Sequence, residues 1–586
     1  MKKAMIGLAI LLAAGTGCSK ESVNNSADYG SGSSSGVSGV STLNVTEDQE
    51  DFIANTNFDR TITITFNAGG TASVSGDAHG IVSVSGNKVT ADNTTTSEKV
   101  RYELSGSATD GYFKVYSNNK QAIVLNNLSL TNPNGAAINN QGKKRCFVVV
   151  GGTNTLADGS SYTATPSDED EKAAFFSEGQ LIFSGDGSLT VSAKGKSGIV
   201  SDDYLHFVAS PTVKVTSTAG HAVRGKDAVI VSDGVLEATA SAAMKKGVAS
   251  DSLVLFNGGA TTIKVSGGTA YDSEDAEYKS SAGIKADNYF GMTGGTVTIT
   301  NTGAGGKGVR AGNYSYYTTN GSLSDSYISG GTLTIKTSGS ESNDVSTKAI
   351  KIGFKEGSGR NYVYGGNLVV SGGSIIANTS KSETIETKGK LTITNGSVYA
   401  YSTGDDAINS QGEMNISGGY VYGHSTANDA IDTNCDMKIS GGYVFAVTTK
   451  GSPEVALDAN TEGGYKLYIY SGATVVAYGG LESGYSASQT VYSMSGTANA
   501  WNALWNGSSF IAAFKAPSGA SSFAVSAPSL SSGYKGVSVG STTYCNGVWA
   551  TSGISGGTSV SLSSYSGGGN QGGGPGGGRP GGGHGW

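Results

Sequence analysis

The chain is poor in cysteine and proline for its length, with 4 Cys and 8 Pro in 586 residues. So few, widely separated cysteines exclude the disulfide framework that stabilises small secreted domains, and their spacing matches no zinc or redox motif. We therefore expect Cys146, Cys435 and Cys545 to be small, buried apolar residues.

Charge is also scarce. Only 15% of residues are charged, the formal net charge is -7, and no run of Lys and Arg exceeds three residues. A nucleic-acid-binding domain normally carries a basic patch or stripe, so nucleic acid is not an expected partner.

Long hydrophobic runs are missing except at the start, where Ala4 to Ala14 follows two lysines. This run is too short to span a membrane and is typical of a secretory signal. The small residues before Cys18 match a bacterial lipobox, with Gly15 in place of the commoner Leu. We predict a lipoprotein signal peptide at 1–17, lipidation of Cys18, and a location at the bacterial outer membrane or cell surface. The alternative is an ordinary secreted protein whose signal peptide is cleaved near Cys18 without lipidation.

What the chain has in abundance is glycine, 91 residues, together with Ser, Thr, Asn and 29 Tyr. This composition favours short strands joined by tight turns over helices. Residues 18–44 are rich in Gly and Ser and predict a flexible tether, and 566–586 predict a disordered Gly-rich tail.

An internal repeat occupies the region between tether and tail. Each repeat has an anchor, a small residue followed by a branched apolar one, as in "DAINSQ" from Asp406 and "NDAIDT" from Asn428. Anchors recur every 23 to 26 residues, or every 35 to 41 where loops intrude. After them come segments such as "MNISGGYVYG", whose apolar and polar residues alternate as in a half-buried strand.

A period of this length, made of short strands and Gly-rich turns, indicates a solenoid whose coils stack to bury their inner faces. The Leu and Asn pattern of leucine-rich repeats is absent. We predict an all-β fold, a right-handed parallel β-helix over 45–484, in which each coil advances by about 4.8 Å.

Alternation along the strands then predicts which side chains face solvent. If Ile408, Ile431 and Leu457 point inward, the next residue of each repeat points outward. This outward column is basic in the middle coils and acidic or amide in the last ones, and runs Val200, Arg224, Ala249, Lys285, Arg310, Lys351, Glu386, Asn409, Asp432, Asp458.

The acidic end of the edge needs a counter-ion, because stacked like charges repel by roughly 1 to 4 kcal/mol at about 4 Å. Calcium is the expected cofactor, since it prefers oxygen ligands and no His or Cys converges here. The predicted ligands are Glu383, Asp405, Asp406, Asp429, Asp432 and Asp458. The alternative is a solvated acidic edge that keeps the protein soluble.

The cationic segment predicts an anionic, repeating partner. Lys285, Arg310 and Lys351 can meet the carboxylates of a polyuronate chain, and the Arg fork binds a carboxylate in a bidentate manner. Simple surface charge, or ion pairs to acids of inserted loops, remains the alternative.

Aromatic side chains form a third candidate surface. Three successive coils present Tyr399, Tyr401, Tyr420, Tyr422, Tyr443 and Phe445 on the outer face. Flat rings suit sugar faces, and we select Tyr399, Tyr422 and Tyr443 as carbohydrate contacts. Two alternatives stay open: the rings stabilise the sheet by cross-strand pairing, or the C-terminal segment packs on them.

Several segments, including "AIVLNNLSLTNPNGAAINNQGKKRCFVVV" from Ala122, "SGIVSDDYLHF" from Ser197 and "HAVRGKDAVIVSDG" from His221, resemble the bacterial carbohydrate-binding β-helix family DUF4353. The resemblance covers about 95–480. It implies a right-handed parallel β-helix similar to pectate lyases, bound calcium, plant-wall polysaccharides such as polygalacturonate or cellulose as partners, and no established catalysis.

The resemblance also implies corner positions for Asp202, Asp203, Arg224, Lys226 and Asp227, and we count Arg224 and Lys226 among the predicted carbohydrate-binding residues. Where the family commonly has an acid before the anchor, this chain has Ser197, His221, Lys246, Lys307 and Lys348. The calcium prediction is therefore placed in the late coils.

Residues 485–565 lie beyond the repeat and alternate like strands, which predicts a small β domain capping the last coil. We expect Trp501, Trp505 and Trp549 to form its core.

The predicted function is calcium-dependent, non-catalytic binding of an acidic or plant-wall polysaccharide by a monomeric, surface-tethered lipoprotein that touches the membrane only through its anchor. The first alternative is a pectate-type lyase, which needs calcium and an unprotonated Lys or Arg base at one place. The second is a surface adhesin or structural protein.

Overall fold

The computed structural model describes residues 48–163, 166, 169–358 and 361–567. The predicted signal peptide, Cys18, the tether and most of the predicted tail lie outside these residues. Within them the helices are Tyr314–Asn320 and the short 3-10 segments Gln49–Asp51 and Ile53–Asn55. None of the described helices has the length and apolar character to cross a bilayer.

Three long ladders of strands build most of the molecule, and each coil gives one strand to each ladder. Ladder 1 holds the anchors and is parallel apart from its first, antiparallel pair. Its strands are Val82–Ser85, Asn87–Asn93, Gly111–Ser117, Ile138–Asn140, Ala173–Ser177, Ser197–Ser201, Val223–Gly225, Lys246–Ser250, Ala282–Ala286, Lys307–Ala311, Lys348–Ile352, Ile385–Thr387, Ile408–Ser410, Ile431–Thr433 and Leu457–Ala459.

Ladder 2 follows ladder 1 in each coil. Its strands are Arg60–Phe66, Val100–Ala108, Gln121–Asn132, Cys146–Gly151, Leu181–Ser184, Tyr204–Ala209, Ala228–Val231, Leu253–Phe256, Tyr289–Met292, Ser326–Ile328, Leu368–Thr379, Leu391–Ser402, Met414–Ile416, Met437–Ile439, Leu467–Ile469 and Ser486–Ala487.

Ladder 3 closes each coil, and the long strands Gln121–Asn132, Leu368–Thr379 and Leu391–Ser402 continue into it from ladder 2. Its other strands are Thr153–Asp158, Ser188–Ala193, Thr212–Ser217, Val235–Ala240, Ala260–Val265, Thr296–Asn301, Thr332–Thr337, Tyr420–Ser425, Tyr443–Thr448 and Thr474–Tyr478.

The core lies inside the three ladders, because every second side chain of each strand points inward. The anchor residues Ile385, Ile408, Ile431 and Leu457 are register partners and are almost completely buried. Burying such a side chain stabilises the fold by about 1.5–3 kcal/mol, so the stacked anchors hold the coils in register.

Glycine is abundant because the turns between ladders 2 and 3 stack backbone on backbone. Gly419 and Gly442 have φ of 79° and 76°, a conformation that residues with a Cβ rarely adopt. A Cβ on Gly442 would lie 2.6 Å from the Gly418 carbonyl carbon of the preceding coil.

The C-terminal region extends the last coil and covers part of the solenoid. Ser522–Ser526 pairs antiparallel with Thr474–Tyr478 of ladder 3 and with Tyr492–Ser495, which also pairs with Leu562–Ser564. A second, antiparallel sheet comprises Trp501–Asn506, Ser509–Lys515, Ser532–Val539, Trp549–Ala550, Ile554–Ser555 and Thr558–Val560.

Short antiparallel elements complete the fold. Ser73–Ser75 pairs with Arg60–Phe66, and the two inserted hairpins are Ala270–Asp272 with Glu277–Lys279 and Phe354–Ser358 with Asn361–Gly365. The described structure is thus an all-β solenoid with long parallel ladders, as predicted, and the right-handed sense stays a prediction. Cys146 and Cys545 are buried free thiols.

Candidate functional site

The outward column of ladder 1 is the frame of the candidate site. Successive members are register partners: Val200 pairs with Arg224, and the chain of pairs continues to Asp432 with Asp458. The column passes through Ala249, Lys285, Arg310, Lys351, Glu386 and Asn409. The basic and acidic segments therefore lie end to end along one edge of the solenoid.

In the acidic segment, Asn409 bridges two carboxylates. Its Nδ2 donates to Asp406 Oδ2 at 3.0 Å and to Asp432 Oδ2 at 2.6 Å. Asp406 is only 4% exposed, and its Oδ1 is buried without a hydrogen-bond partner. Such an unsatisfied charged oxygen is costly, and the site favours a proton or a cation at this position.

Burial of these acids raises their pKa values. Burial, followed by repulsion from neighbouring acids, raises the pKa of Asp432 to about 8, and burial raises the pKa of Asp429 to about 7. The same causes raise the pKa of Asp405 and Asp406. Burial and the hydrogen bond with Glu482 raise the pKa of Asp458 to about 10.

Other partners hold some oxygens of this set. Asp405 Oδ1 accepts from Asn428 Nδ2 at 2.8 Å, and Asp429 Oδ1 accepts from the Val455 amide at 2.5 Å. Asp406 and Asp429 stand two residues before the paired Ile408 and Ile431, one coil apart.

Glu383 has a different environment from the other predicted ligands. Lys348 Nζ lies 2.8 Å from Glu383 Oε2 and 2.7 Å from Glu386 Oε2, and Lys388 also pairs with Glu386. Burial opposes ionisation of Glu386, yet the lysines hold its pKa well below the usual value. These ion pairs form the boundary between the basic and acidic segments.

Among the described residues, a different set of three carboxylates is close enough to hold a metal ion. One oxygen each of Asp170, Glu178 and Asp202 lies within 4.8 Å of the other two. They lie in an earlier coil, where Lys172 pairs with both Asp170 and Asp202. Within the described residues, the six predicted calcium ligands form no set of three that lies this close together. Asp170 comes from an inserted loop, so the repeat pattern gave no signal for it.

In the basic segment, some predicted sugar-binding cations are already paired. Arg224 contacts Asp251 and lies 3.8 Å from Asp202, and Lys285 lies 2.5 Å from Asp287. These two residues therefore form ion pairs, but with acids of the turns that follow anchor strands and not with the acids of inserted loops that the alternative named.

Arg310 and Lys351 are different. They are register partners, both half-buried, and neither forms an ion pair with any described residue. Burial, with repulsion from Lys348 and Arg310, lowers the pKa of Lys351 to about 8 despite the attraction of Glu386. In the same strand as Arg310, the buried Lys307 donates to the Gly305 carbonyl at 2.8 Å and to that of Ser346. Apart from the attraction of Glu386, no carboxylate of the described residues compensates the pair through an ion pair.

The aromatic surface is not exposed as predicted. Tyr399, Tyr422 and Tyr443 lie on the outer face of ladder 3, but the C-terminal region covers them, and Tyr422 is 4% exposed. Trp549, buried as predicted, packs 5.7 Å from the Tyr443 ring. The prediction of an open aromatic platform is wrong here, because the C-terminal region buries the apolar rings.

Exposed rings occur instead on two insertions that follow anchor strands of the basic segment. The helix Tyr314–Asn320 and the hairpin ending at Gly365 meet where Phe354 lies 5.2 Å from Tyr314 and from Tyr317. Lys355 lies 4.4 Å over the Tyr362 ring. Sequence reasoning treated these segments as interruptions of the repeat and so missed them.

A chain of hydrogen bonds on ladder 2 resembles a Ser-His-Asp arrangement. His206 Nε2 lies 2.9 Å from Ser232 Oγ, and His206 Nδ1 lies 2.7 Å from Asp51 Oδ2. Catalysis also needs free amides for an oxyanion, yet the Ser232 and Asp233 amides both donate to the Phe207 carbonyl.

Asp51 additionally binds Tyr204 and Arg145. The network therefore fastens the N-terminal segment to ladder 2.

Two comparisons with known proteins found a similarity. Residues 85–251 match a family model described as carbohydrate-binding domain-containing protein. No curated protein matches the chain. A solved structure of the polysaccharide lyase-like protein from C. thermocellum, a gadolinium derivative, is similar at 22% identity, with a TM-score of 0.35. That match covers 43% of this chain and 95% of the other.

Proposed function

We propose that this protein binds an acidic, uronate-containing polysaccharide without cleaving it, along the outward column of ladder 1. The observation that carries the proposal is the pair Arg310 and Lys351, adjacent cations that form no ion pair within the described chain. An isolated cation pair in a half-buried place is costly unless an anion binds it. The carbohydrate-binding family model matches 85–251, earlier coils of the same solenoid, and supports a sugar as the source of that anion.

A polyuronate suits this geometry because its carboxylates repeat along the chain, as the cations repeat along the edge. Neighbouring strands lie about 4.8 Å apart, so Arg310 and Lys351 can bind one carboxylate or two in succession. The Arg310 guanidinium offers a bidentate fork, and the Lys351 ammonium offers a point charge. A bound carboxylate would also favour the charged form of Lys351.

Calcium belongs to the same proposal, with Asp406, Asp429 and Asp432 as the residues that would hold it and Asp405 and Asp458 beside them. In the described structure, no three of these carboxylates lie within 4.8 Å of one another, so they would have to move closer to share one ion. The buried Asp406 Oδ1 without a partner, and the raised pKa values of this set, support the fit. The all-oxygen donor set matches the preference of calcium. Glu383 is not included, since Lys348 neutralises it.

A lyase is the second candidate, because one observation favours it. The lowered pKa of Lys351 gives a fraction of neutral amine that could act as a base near pH 8. Its nearest acid in the column, Glu386, is already bound by Lys348 and Lys388. The acids proposed for calcium lie in later coils, so base and metal would not meet at one sugar.

The test is binding of hexagalacturonate and of insoluble pectin to the full chain, with calcium and with a chelator. We expect the double substitution Arg310→Ala and Lys351→Ala to weaken hexagalacturonate binding by roughly a hundredfold, as expected when two charged contacts are lost. The matched control, Lys264→Ala with Lys336→Ala, removes two exposed lysines of ladder 3 and should bind normally. Equal loss in both double variants would contradict the proposal.

Ultraviolet absorbance of the same samples distinguishes a lyase from a non-catalytic binding protein. Cleavage by elimination produces an unsaturated uronate that absorbs in the ultraviolet. A flat absorbance trace with retained binding supports the non-catalytic proposal. A steady rise that Lys351→Ala abolishes would replace it with the lyase.

We also propose that the mature protein begins at a lipidated Cys18 and is held at the bacterial surface. Mass spectrometry of the N-terminal peptide from detergent extracts should find Cys18 as the first residue, carrying acyl chains. An unmodified N-terminus elsewhere would indicate a freely secreted protein.

A further inference from the structure

A cavity of about 550 Å³ opens beside the basic segment, at the turn between ladders 1 and 2. Turn residues of three successive coils and the inserted helix Tyr314–Asn320 line it. The lining residues that matter here are Lys226, Asp227, Asp251, Asp287, Asn313 and Tyr316. Its volume lies within the range of about 300–1,000 Å³ that is common for small-ligand sites.

Several of its polar groups are held in place by partners behind them. Asp287 Oδ2 accepts from Lys285 at 2.5 Å, and its Oδ1 accepts from Asn313 Nδ2 at 2.5 Å. Asn313 Oδ1 caps the helix by accepting from the Tyr316 amide at 2.6 Å. Asp251 is bound by Arg224. Fixed acceptors of this kind lose little conformational entropy when a ligand arrives.

Other groups of the cavity are open to a ligand. Lys226 and Asp227 are exposed and form no ion pair with any described residue. The Tyr316 ring is half-buried at the wall. An ammonium group, a carboxylate and a ring face together match the hydroxyls and the apolar face of a pyranose.

The charge balance distinguishes this cavity from the neighbouring column. Of its three carboxylates, Asp251 and Asp287 form ion pairs with Arg224 and Lys285, and Asp227 adjoins Lys226 in sequence without an ion pair, so the charges balance in number. Around Arg310 and Lys351 no such balance exists among the described residues. A uronate would meet three carboxylates in the cavity, whereas a neutral sugar meets only hydrogen-bonding groups.

We infer that this cavity is a subsite for a neutral hexose or pentose unit of a polysaccharide. The inference deepens the proposed function, because Asn313 follows Arg310 by three residues and one chain can reach both places. At about 3.3 Å per residue the cavity begins within about 10 Å of Arg310. The ligand of the edge would then be a mixed polymer, with acidic units on the column and neutral units in the cavity.

The experiment is calorimetric titration of the full chain with neutral probes, cellohexaose, xylohexaose and mannohexaose, and separately with hexagalacturonate. We expect at least one neutral probe to bind, and Tyr316→Ala and Asp227→Asn each to weaken it roughly tenfold, the effect of losing one good polar or ring contact. Hexagalacturonate binding should change less than about twofold in these variants.

Matched controls are Tyr271→Ala, an exposed tyrosine on the hairpin Ala270–Asp272, and Asp186→Asn, an exposed acid on another turn. Both should bind every probe normally. Absence of binding for all neutral probes overturns the inference, and so does equal weakening by the controls. If neutral binding is present and sensitive to Tyr316→Ala while hexagalacturonate fails to bind, the subsite stands and the acidic-polysaccharide proposal falls.

Discussion

The middle and late coils use the same anchor strand and the same outward position, yet they differ in how charge is compensated. In the middle coils Arg310 and Lys351 have no anionic partner among the described residues, and they stay half-exposed. In the late coils Asp406 and Asp432 share one amide, and burial raises their pKa values. Among the described residues, the pair Arg310 and Lys351 has no ion-paired carboxylate, and Asp406 and Asp432 have no ion-paired cation.

The boundary between the two regions is the lysine that faces both glutamates. Lys348 binds Glu383 and the almost fully buried Glu386, so each segment ends where opposite charges meet directly. The same repeat pattern therefore presents opposite charges in two regions of one edge, with the Lys348 ion pairs between them.

The largest expected effect comes from breaking this boundary. Lys348→Ala should destabilise the protein by about 3–5 kcal/mol, because it leaves buried carboxylates without their cation. The matched control Lys390→Ala removes an exposed lysine 3.9 Å from Glu413 and should cost less than about 1 kcal/mol. Urea unfolding followed by circular dichroism measures both. Equal effects would show that the boundary pair is not special.

A smaller effect is expected from calcium on the late coils. At a free concentration of about 100 times Kd, calcium should stabilise the wild-type chain by about 2.7 kcal/mol. Asp406→Asn with Asp432→Asn should abolish the gain, whereas the exposed Asp186→Asn should keep it. Thermal unfolding with calcium or with chelator measures this. A wild-type chain that does not respond would remove calcium from the account.

The smallest expected effect is a pH dependence confined to the middle coils. Only protonated Lys351 attracts a carboxylate, and its pKa in the free protein is lowered to about 8. Hexagalacturonate affinity should therefore be constant below pH 8 and fall roughly tenfold as pH rises well above it, the loss of one charged contact. Lys351→Arg should keep the affinity constant over this range. An affinity that rises with pH would contradict the assignment.

Much of the fold could be predicted because the repeat is local and periodic. Ile408 and Ile431 carry the register in their spacing alone, and the structure pairs them. The outward column followed from alternation along the strand, and its register holds from Val223 to Ala459. Two of its members, Ala249 and Glu386, are nevertheless almost fully buried, so the expected exposure does not hold in their coils.

The covered aromatic face, the ion pairs and the cavity could not be predicted, because they depend on contacts between residues far apart in sequence. Nothing near Tyr422 indicates that Trp549 and Phe514 lie over the same face, because residues 485–565 carry no repeat. The carboxylates of Asp251 and Asp287 were recognisable as acids, but their pairing with Arg224 and Lys285 depends on side-chain direction at the turns. Inserted segments such as Tyr314–Asn320 gave no periodic signal, although they line the cavity.

The most direct measurement is a crystal structure of the full chain with hexagalacturonate. It should show a uronate carboxylate bonded to the Arg310 guanidinium, with the Lys351 ammonium within hydrogen-bond reach of the same sugar chain. A ligand bound elsewhere, with both side chains still facing solvent, would contradict the claim that these two cations are the polysaccharide-binding pair.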